Sequence, residues 1–244
     1  MFFVPQETGK LISASDQEID TFVKKYRPRY GKLYCHASYW VNLSSLKSNG
    51  FLQLRREIAF ARRLEFTHII IHAGTAKGGV EKSEGIDSLA YALNMLFKYE
   101  KGIEILVENG CHRKLAIGSD ILDFKVLLEK IDRPERLNFC IDTAHAYSFG
   151  YDIAMQKGQE DFIALLQSAI GIDRIKLIHL NDTQEQLGSY LDRHAVIGKG
   201  TIGEKALKTF ALHPQLKHIP LLLELPEIGI QEELEILNKV RGWI

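Results

Sequence analysis

At 244 residues, 45% hydrophobic and 25% charged, the chain has the length and composition of one large globular domain, residues 1–244. Lysine plus arginine equals aspartate plus glutamate at 31 each, so bulk charge advertises no polyanionic partner. No apolar run of about 18 residues exists to span a membrane, and the start MFFVPQETGK lacks the basic and apolar regions of a signal peptide. The three cysteines, Cys35, Cys111 and Cys140, show no CxxC spacing and read as small buried filler in a reducing compartment, so a cytoplasmic location is expected.

A very short strand, Phe2 to Val4, opens the chain. A helix from about Asp16 to Tyr26 follows, with Ile19, Phe22 and Val23 on one face. Strand Lys32–His36 leads through the loop ASYWVN to a helix over Phe51–Leu64, and strand Thr67–His72 leads through AGTAKGG to a helix over Ser88–Tyr99. Strand Ile103–Glu108 precedes the polar loop NGCHRK and a helix that Ser119 or Asp120 caps, running to Ile131. Strand Leu137–Asp142 runs into a short turn holding His145, then a helix over Gln159–Ala169. Strand Arg174–Leu180 opens a polar insert over residues 181–201. A helix over Glu204–Leu212, strand Ile219–Glu224 and a helix over Glu232–Val240 complete the pattern.

Six of these apolar runs stop at a polar residue: His36, His72, Glu108, Asp142, His179 and Glu224, at spacings of 36, 36, 34, 37 and 45 residues. One buried strand and one amphipathic helix per mid-thirties period predicts an α/β fold, a TIM-type (β/α) barrel. Seven strand–helix units are visible where a closed barrel has eight, and the N-terminal unit is the one apparently missing. An opened barrel is expected, its gap covered by the N-terminal segment or by another subunit, and otherwise a monomer.

In such a barrel the carboxyl ends of the strands face one mouth, so the six polar residues read as a site. His145, Asp192 and His194 bring the candidate ligands to nine, five imidazoles and four carboxylates. That donor set suits zinc, with manganese or iron as substitutes, and three or four ligands per ion gives about three ions. Any one of these residues alone reads as a hydrogen-bonded core group. Six in succession do not, because burying four carboxylates without cations is costly. His68, His213 and His218 read as structural, and His112, in a mouth loop, as either structural or a substrate contact. AGTAKGG lacks the GxxxxGK spacing, so no nucleotide cofactor is expected. Tyr39 and Trp40 are an exposed wedge or base-stacking pair on one reading and core on the other. Lys199, between two glycines, is a phosphate contact or a solvated loop lysine.

The segments HASYWVNL, IIIHAG, ILVEN, CIDTAHAYSFGYD, IHLNDTQEQLGSYLDRHAVIGKGTIG and PLLLEL, in order from about residue 32 to 226, resemble the endonuclease IV family of apurinic/apyrimidinic endonucleases. The resemblance implies a zinc-dependent DNA-repair enzyme that cuts the backbone 5′ to abasic sites, leaving a 3′-hydroxyl and a 5′-deoxyribose phosphate, and trims blocked 3′ ends. It implies a first zinc on His36, His72 and Glu108, with Glu108 shared with a second on Asp142, His179 and Glu224. A third would sit on His145, Asp192 and His194. Glu108 and Glu224 would be catalytic through a metal-activated hydroxide, and Tyr39, Trp40 and Lys199 would contact double-stranded DNA. With three Zn²⁺ against four ligand carboxylates the mouth would carry about +2, enough for a neutral protein to attract a phosphodiester. Two departures from the family stand out: no His-Val-Ser-type first unit is present, and Pro5-Gln6-Glu7-Thr8 replaces an Asn-Pro-Arg-like stretch. The competing expectations are a single-metal sugar isomerase or epimerase on a similar barrel, and a truncated relative that binds DNA without cutting it.

Overall fold

Short β-branched runs become parallel strands in the computed structural model, which describes residues 2–3, 14–45, 48–78 and 81–244. Val4, the Pro5–Thr8 stretch and the last glycine of AGTAKGG lie outside the described residues. The chain divides into two units, Met1–Glu108 with Val126–Asn138, and Asn109–Lys125 with Phe139–Ile244.

The first unit pairs four parallel strands in sequence order: β1 (Phe2–Phe3), β2 (Tyr34–His36), β3 (His68–His72) and β4 (Glu104–Glu108). Ile69, Ile70 and Ile71 have no exposed surface. An isoleucine buried in this way contributes about 1.5–3 kcal/mol, which is why an unbroken apolar run is tolerated where both faces are covered. The register sets His72 opposite Glu108, while His36 lies opposite Ile70, two residues short of His72. Because side chains alternate with a period of two, that stagger keeps all three on one face.

Helices connect these strands. α1 (Asp16–Thr21) opens with a reciprocal cap, the Glu18 N–H donating to Ser15 Oγ at 3.3 Å and the Ser15 N–H to Glu18 Oε2 at 2.8 Å. It continues as a π-helical turn over Phe22–Tyr26. α2 (Gly50–Arg63) buries Leu54, Glu57, Ile58 and Ala61, the i, i+3, i+4, i+7 stripe of a helix with one covered face. α3 (Lys82–Tyr99) starts six residues before the expected Ser88. Its second turn carries Gly85, which lowers helix propensity but is buried here with Ile86 and Leu89, so packing outweighs propensity.

The second unit opens with the start of α4 (Leu122–Glu129) and holds three parallel strands, β5 (Asn138–Asp142), β6 (Ile175–His179) and the later β9. Asp142 lies opposite His179. Between these strands run α5 (Thr143–Phe149) and α6 (Gln156–Ala169). The expected turn around His145 is therefore a helix, α5, and Asp142 is its N-cap. The insert after β6 is not featureless either. β7 (Asp182–Thr183) pairs antiparallel with β8 (His194–Ala195), setting Thr183 opposite His194. α7 (Glu204–Ala211), β9 (Leu221–Leu222) and α8 (Ile230–Arg241) end the chain, and His179 lies opposite Leu222. Among the described residues, four parallel strands in one unit and three in the other make up the seven that the periodicity predicts, with the β7–β8 pair in addition. Among the described residues no helix is long and apolar enough to cross a membrane.

Candidate metal centre

In the first unit, three strand ends bring His36, His72 and Glu108 together, their ligand atoms all within 4.8 Å of one another. Glu108 is 1% exposed, and its Oε2 lies 2.8 Å from His36 Nε2 and 3.6 Å from His72 Nδ1. The His36 and His72 rings sit 4.9 Å apart. His36 Nδ1 lies 2.7 Å from the Ala37 carbonyl oxygen, which can only accept, so Nδ1 carries the proton. In the neutral ring Nε2 is then a bare lone pair aimed at a carboxylate, and two facing acceptors repel unless a proton or a metal cation sits between them.

The second unit repeats this arrangement twice. His145 Nδ1 meets the Asn109 carbonyl oxygen at 2.9 Å, and His194 Nδ1 the Glu224 carbonyl oxygen at 3.0 Å. Their Nε2 atoms face opposite oxygens of Asp192, at 3.1 Å and 3.3 Å. His194 Nε2 also stands 3.8 Å from Asp142 Oδ2. His179 Nδ1 lies 3.2 Å from Glu224 Oε2 and 3.8 Å from Asp142 Oδ2. Donor atoms around a tetrahedral zinc with bonds of about 2.0 Å are about 3.3 Å apart, and these separations bracket that spacing. A backbone carbonyl fixing the far ring nitrogen is also the usual support of a metal-binding histidine. The donors present fit zinc-type ions.

Three residues that the sequence pattern does not single out hold the second unit's candidate ligands. Asn109 donates from Nδ2 to the Asp142 carbonyl at 3.2 Å and accepts the Asp142 N–H on Oδ1 at 2.7 Å, a two-point clamp on the strand end. Asn181 donates from Nδ2 to Asp142 Oδ2 at 2.6 Å and to Glu224 Oε2 at 3.3 Å, and accepts the Glu224 N–H at 2.8 Å. Asp182, fully buried, accepts backbone N–H groups from Thr183, Gly198, Gly200, Ile202 and Gly203. A Cβ on Gly200 would stand 2.3 Å from Asp182 Oδ1, so this loop needs glycine there. The available signal was an amide or acid just past a strand-end ligand, in ILVEN and IHLND.

Asp142 has two tasks, because its Oδ1 also accepts the His145 N–H at 2.8 Å as the cap of α5. The cap places His145 three residues on, beside the strand end. In the first unit, Glu57 of α2 accepts the Ser38 N–H at 3.0 Å and so fixes the start of the loop after His36. Asn42 ties that loop to the next by donating to the Thr75 carbonyl at 2.9 Å and accepting the Thr75 N–H at 3.1 Å.

Tyr39 and Trp40 are each 57% exposed, and the Tyr39 ring meets His72 edge-on at 5.4 Å. They are surface aromatics and not core. Lys199 is exposed, its Nζ 2.8 Å from Glu232 Oε1. His68 opens β3 and stands 3.0 Å from Glu104 Oε2, away from the strand ends that carry the candidate ligands. His112 Nδ1 lies 3.1 Å from the Tyr190 carbonyl oxygen. All three cysteines are buried and unbridged, and burial pushes the thiols of Cys35 and Cys111 up to about 12.

A family model described as a xylose isomerase-like TIM barrel matches residues 1–240. A curated relative from Thermosipho melanesiensis, named "Probable endonuclease 4", is 36% identical over 234 residues, 91% of this chain and 82% of the relative. The crystal structure of endonuclease IV from Thermus thermophilus matches with a TM-score of 0.81 at 29% identity, covering 99% of this chain and 88% of that one. A D-tagatose 3-epimerase-like protein matches with a TM-score of 0.71 at 21% identity, over 94% of this chain and 83% of that one, a likeness of fold alone.

Proposed function

The chain belongs to the endonuclease IV family, within the xylose isomerase-like TIM barrels, and we propose that this DNA-cleaving hydrolase cuts the backbone 5′ to abasic sites, leaving a 3′-hydroxyl and a 5′-deoxyribose phosphate. Blocked 3′ ends are its second substrate. The observation that carries the reading is the set of three imidazoles, His36, His145 and His194, each with Nδ1 committed to a backbone carbonyl and Nε2 facing a carboxylate, that of buried Glu108 or of exposed Asp192.

Three zinc ions account for the nine side chains. His36, His72 and Glu108 hold one, Asp142, His179 and Glu224 another, and His145, Asp192 and His194 the third, with manganese or iron as possible substitutes. Bound there, such ions would supply charge neutralisation for a phosphate under attack and a water acidic enough to react at neutral pH. The protein's own groups do the rest. Glu108 and Glu224 present their carboxylates to imidazole, and Asn181 orients Glu224 and Asp142 through its amide. The exposed pair Tyr39 and Trp40 enters the base stack near the lesion, where missing stacking makes insertion cheap. Lys199 exchanges Glu232 for a phosphate.

The test is incision of a labelled duplex carrying one stable abasic analogue, with both product ends identified and zinc counted on the same protein. A nick 5′ to the lesion with a 3′-hydroxyl, from protein holding about three zincs, is expected. Protein that binds one ion and turns over a ketose instead would place it with the sugar epimerases of the same fold. A fully loaded protein that leaves the duplex intact would reject the activity.

A further inference from the structure

Tyr190 has φ +63°, a left-handed backbone that a bulky residue adopts only when its surroundings hold it there. Four contacts do so. Its N–H donates to the Ser148 carbonyl at 2.9 Å, and its own carbonyl oxygen lies 3.1 Å from His112 Nδ1. Its ring stands edge-on to Phe149, centroids 5.9 Å apart, and the Arg113 guanidinium carbon sits 3.7 Å from the ring centroid. Ser148 and Phe149 belong to α5, the helix that also carries His145. Two residues beyond Tyr190 is Asp192, whose carboxylate faces both His145 and His194.

We propose that the Arg113–Tyr190 stack is a positioning latch: it pins the Tyr190 turn, which α5 also holds through Ser148 and Phe149, to the loop after β4, and so sets how tightly the His145–Asp192–His194 cluster holds its ion. The inference rests on the metal reading above. Without the stack the turn keeps its Ser148, Phe149 and His112 contacts but is held less firmly, and a ligand that must be ordered at binding binds more weakly. The latch role of Arg113 and Tyr190 is to act through the loop. A planar guanidinium stacks where an ammonium cannot, so lysine is no substitute at position 113.

The sign of the effect separates the latch from electrostatics. Arg113→Ala removes a positive charge, and through-space Coulomb repulsion alone predicts tighter cation binding. The latch predicts looser binding, about tenfold or more, as for other supporting contacts of metal ligands. The experiment follows zinc released from the holoprotein against a graded chelator, with the melting of the chelator-stripped protein measured in parallel. Arg113→Ala is expected to lose one equivalent per chain at about tenfold lower chelator strength, Arg113→Lys to shift in the same direction, and Tyr190→Phe, which keeps the ring, to match wild type. The stripped variants should melt with wild type. Unchanged or tighter zinc in Arg113→Ala, beside an equivalent that His194→Ala removes, overturns the latch alone. An equivalent that His194→Ala fails to remove overturns the metal reading of the cluster and the latch with it.

Discussion

The cluster of the first unit and the hairpin cluster of the second present the same chemistry on different supports. His36, His72 and Glu108 stand at the ends of hydrogen-bonded parallel strands, so strand register alone sets their spacing. Asp192 and His194 ride on the insert after β6, whose only strands are two residues long. There the geometry comes from side chains: Asp182 gathering backbone N–H groups, Asn109 and Asn181 clamping the strand ends, and the Tyr190 turn. Register is inherited from the sheet at no further cost. A loop-borne ligand needs its own scaffold, and that scaffold is where single substitutions act selectively.

The largest effect falls on the strand-borne cluster. Glu108→Ala leaves His36 and His72 without the carboxylate they face, and should lower bound zinc and reduce incision by on the order of 10³-fold, since metal charge stabilisation is worth several kcal/mol at about 1.4 kcal/mol per decade. Zinc counting with a single-turnover incision assay checks it, and full activity would remove Glu108 from the site. Asp182→Asn comes next. An amide turns a donor toward backbone N–H groups that the carboxylate accepts, stranding about two of them for a loss of roughly 3 kcal/mol. Urea unfolding reads the loss, and the comparison sharpens if the hairpin's zinc leaves first while the His36–His72–Glu108 ion stays. Asn181→Ala should follow, weakening the ion proposed on Asp142 and Glu224 by about 10- to 100-fold and stability by about 1 kcal/mol for the stranded Glu224 N–H. Equal loss at both clusters would break the distinction between the two supports.

The same division governs how much the sequence discloses. His36, His72, Glu108, Asp142 and His179 were legible because each ends an apolar run, and the period of those runs carries the fold. Glu224 was legible although its strand shrinks to Leu221–Leu222, since the apolar run reaches past the ladder. The helix at His145 was not. Asp142 reads as a ligand, and that reading hides its equally good signal as an N-cap. Nor was the β7–β8 pair, because two residues show no alternation. The roles of Asn109, Asn181 and Asp182 depend on which backbone groups come within about 3 Å of them, a property of the folded chain that no local pattern encodes. The strand ends supplied six of the nine candidate ligands, His145, Asp192 and His194 came from the turn after Asp142 and the polar insert, and the resemblance to a family divided the nine among three ions.

The smallest effect tests the hairpin's support from beneath. Tyr151 packs between Phe149 and Phe162, at 5.5 Å and 4.6 Å, and its hydroxyl accepts the Ile121 N–H at 3.1 Å. Burial pushes its phenol up to about 12, with the Ile121 N–H opposing the shift and Asp120 adding to it. The folded value lies above the unfolded one of about 10, so the native state holds this proton more tightly. The stability it contributes is fully present below about pH 10 and is lost as pH rises through about 12. At about pH 11 the loss should be about 1 kcal/mol, small beside the other substitutions but confined to one unit. Tyr151→Phe should remove that alkaline component while lowering neutral-pH stability by about 1 kcal/mol through the lost hydrogen bond. Urea unfolding at about pH 8 and about pH 11, on wild type and variant, reads both numbers. An alkaline loss that survives in Tyr151→Phe would move its origin to another phenol or thiol. Because Phe149 carries the Tyr190 ring on its other contact, wild-type zinc release should also grow easier at the hairpin cluster over this range relative to Tyr151→Phe, and stay matched at the strand-borne one.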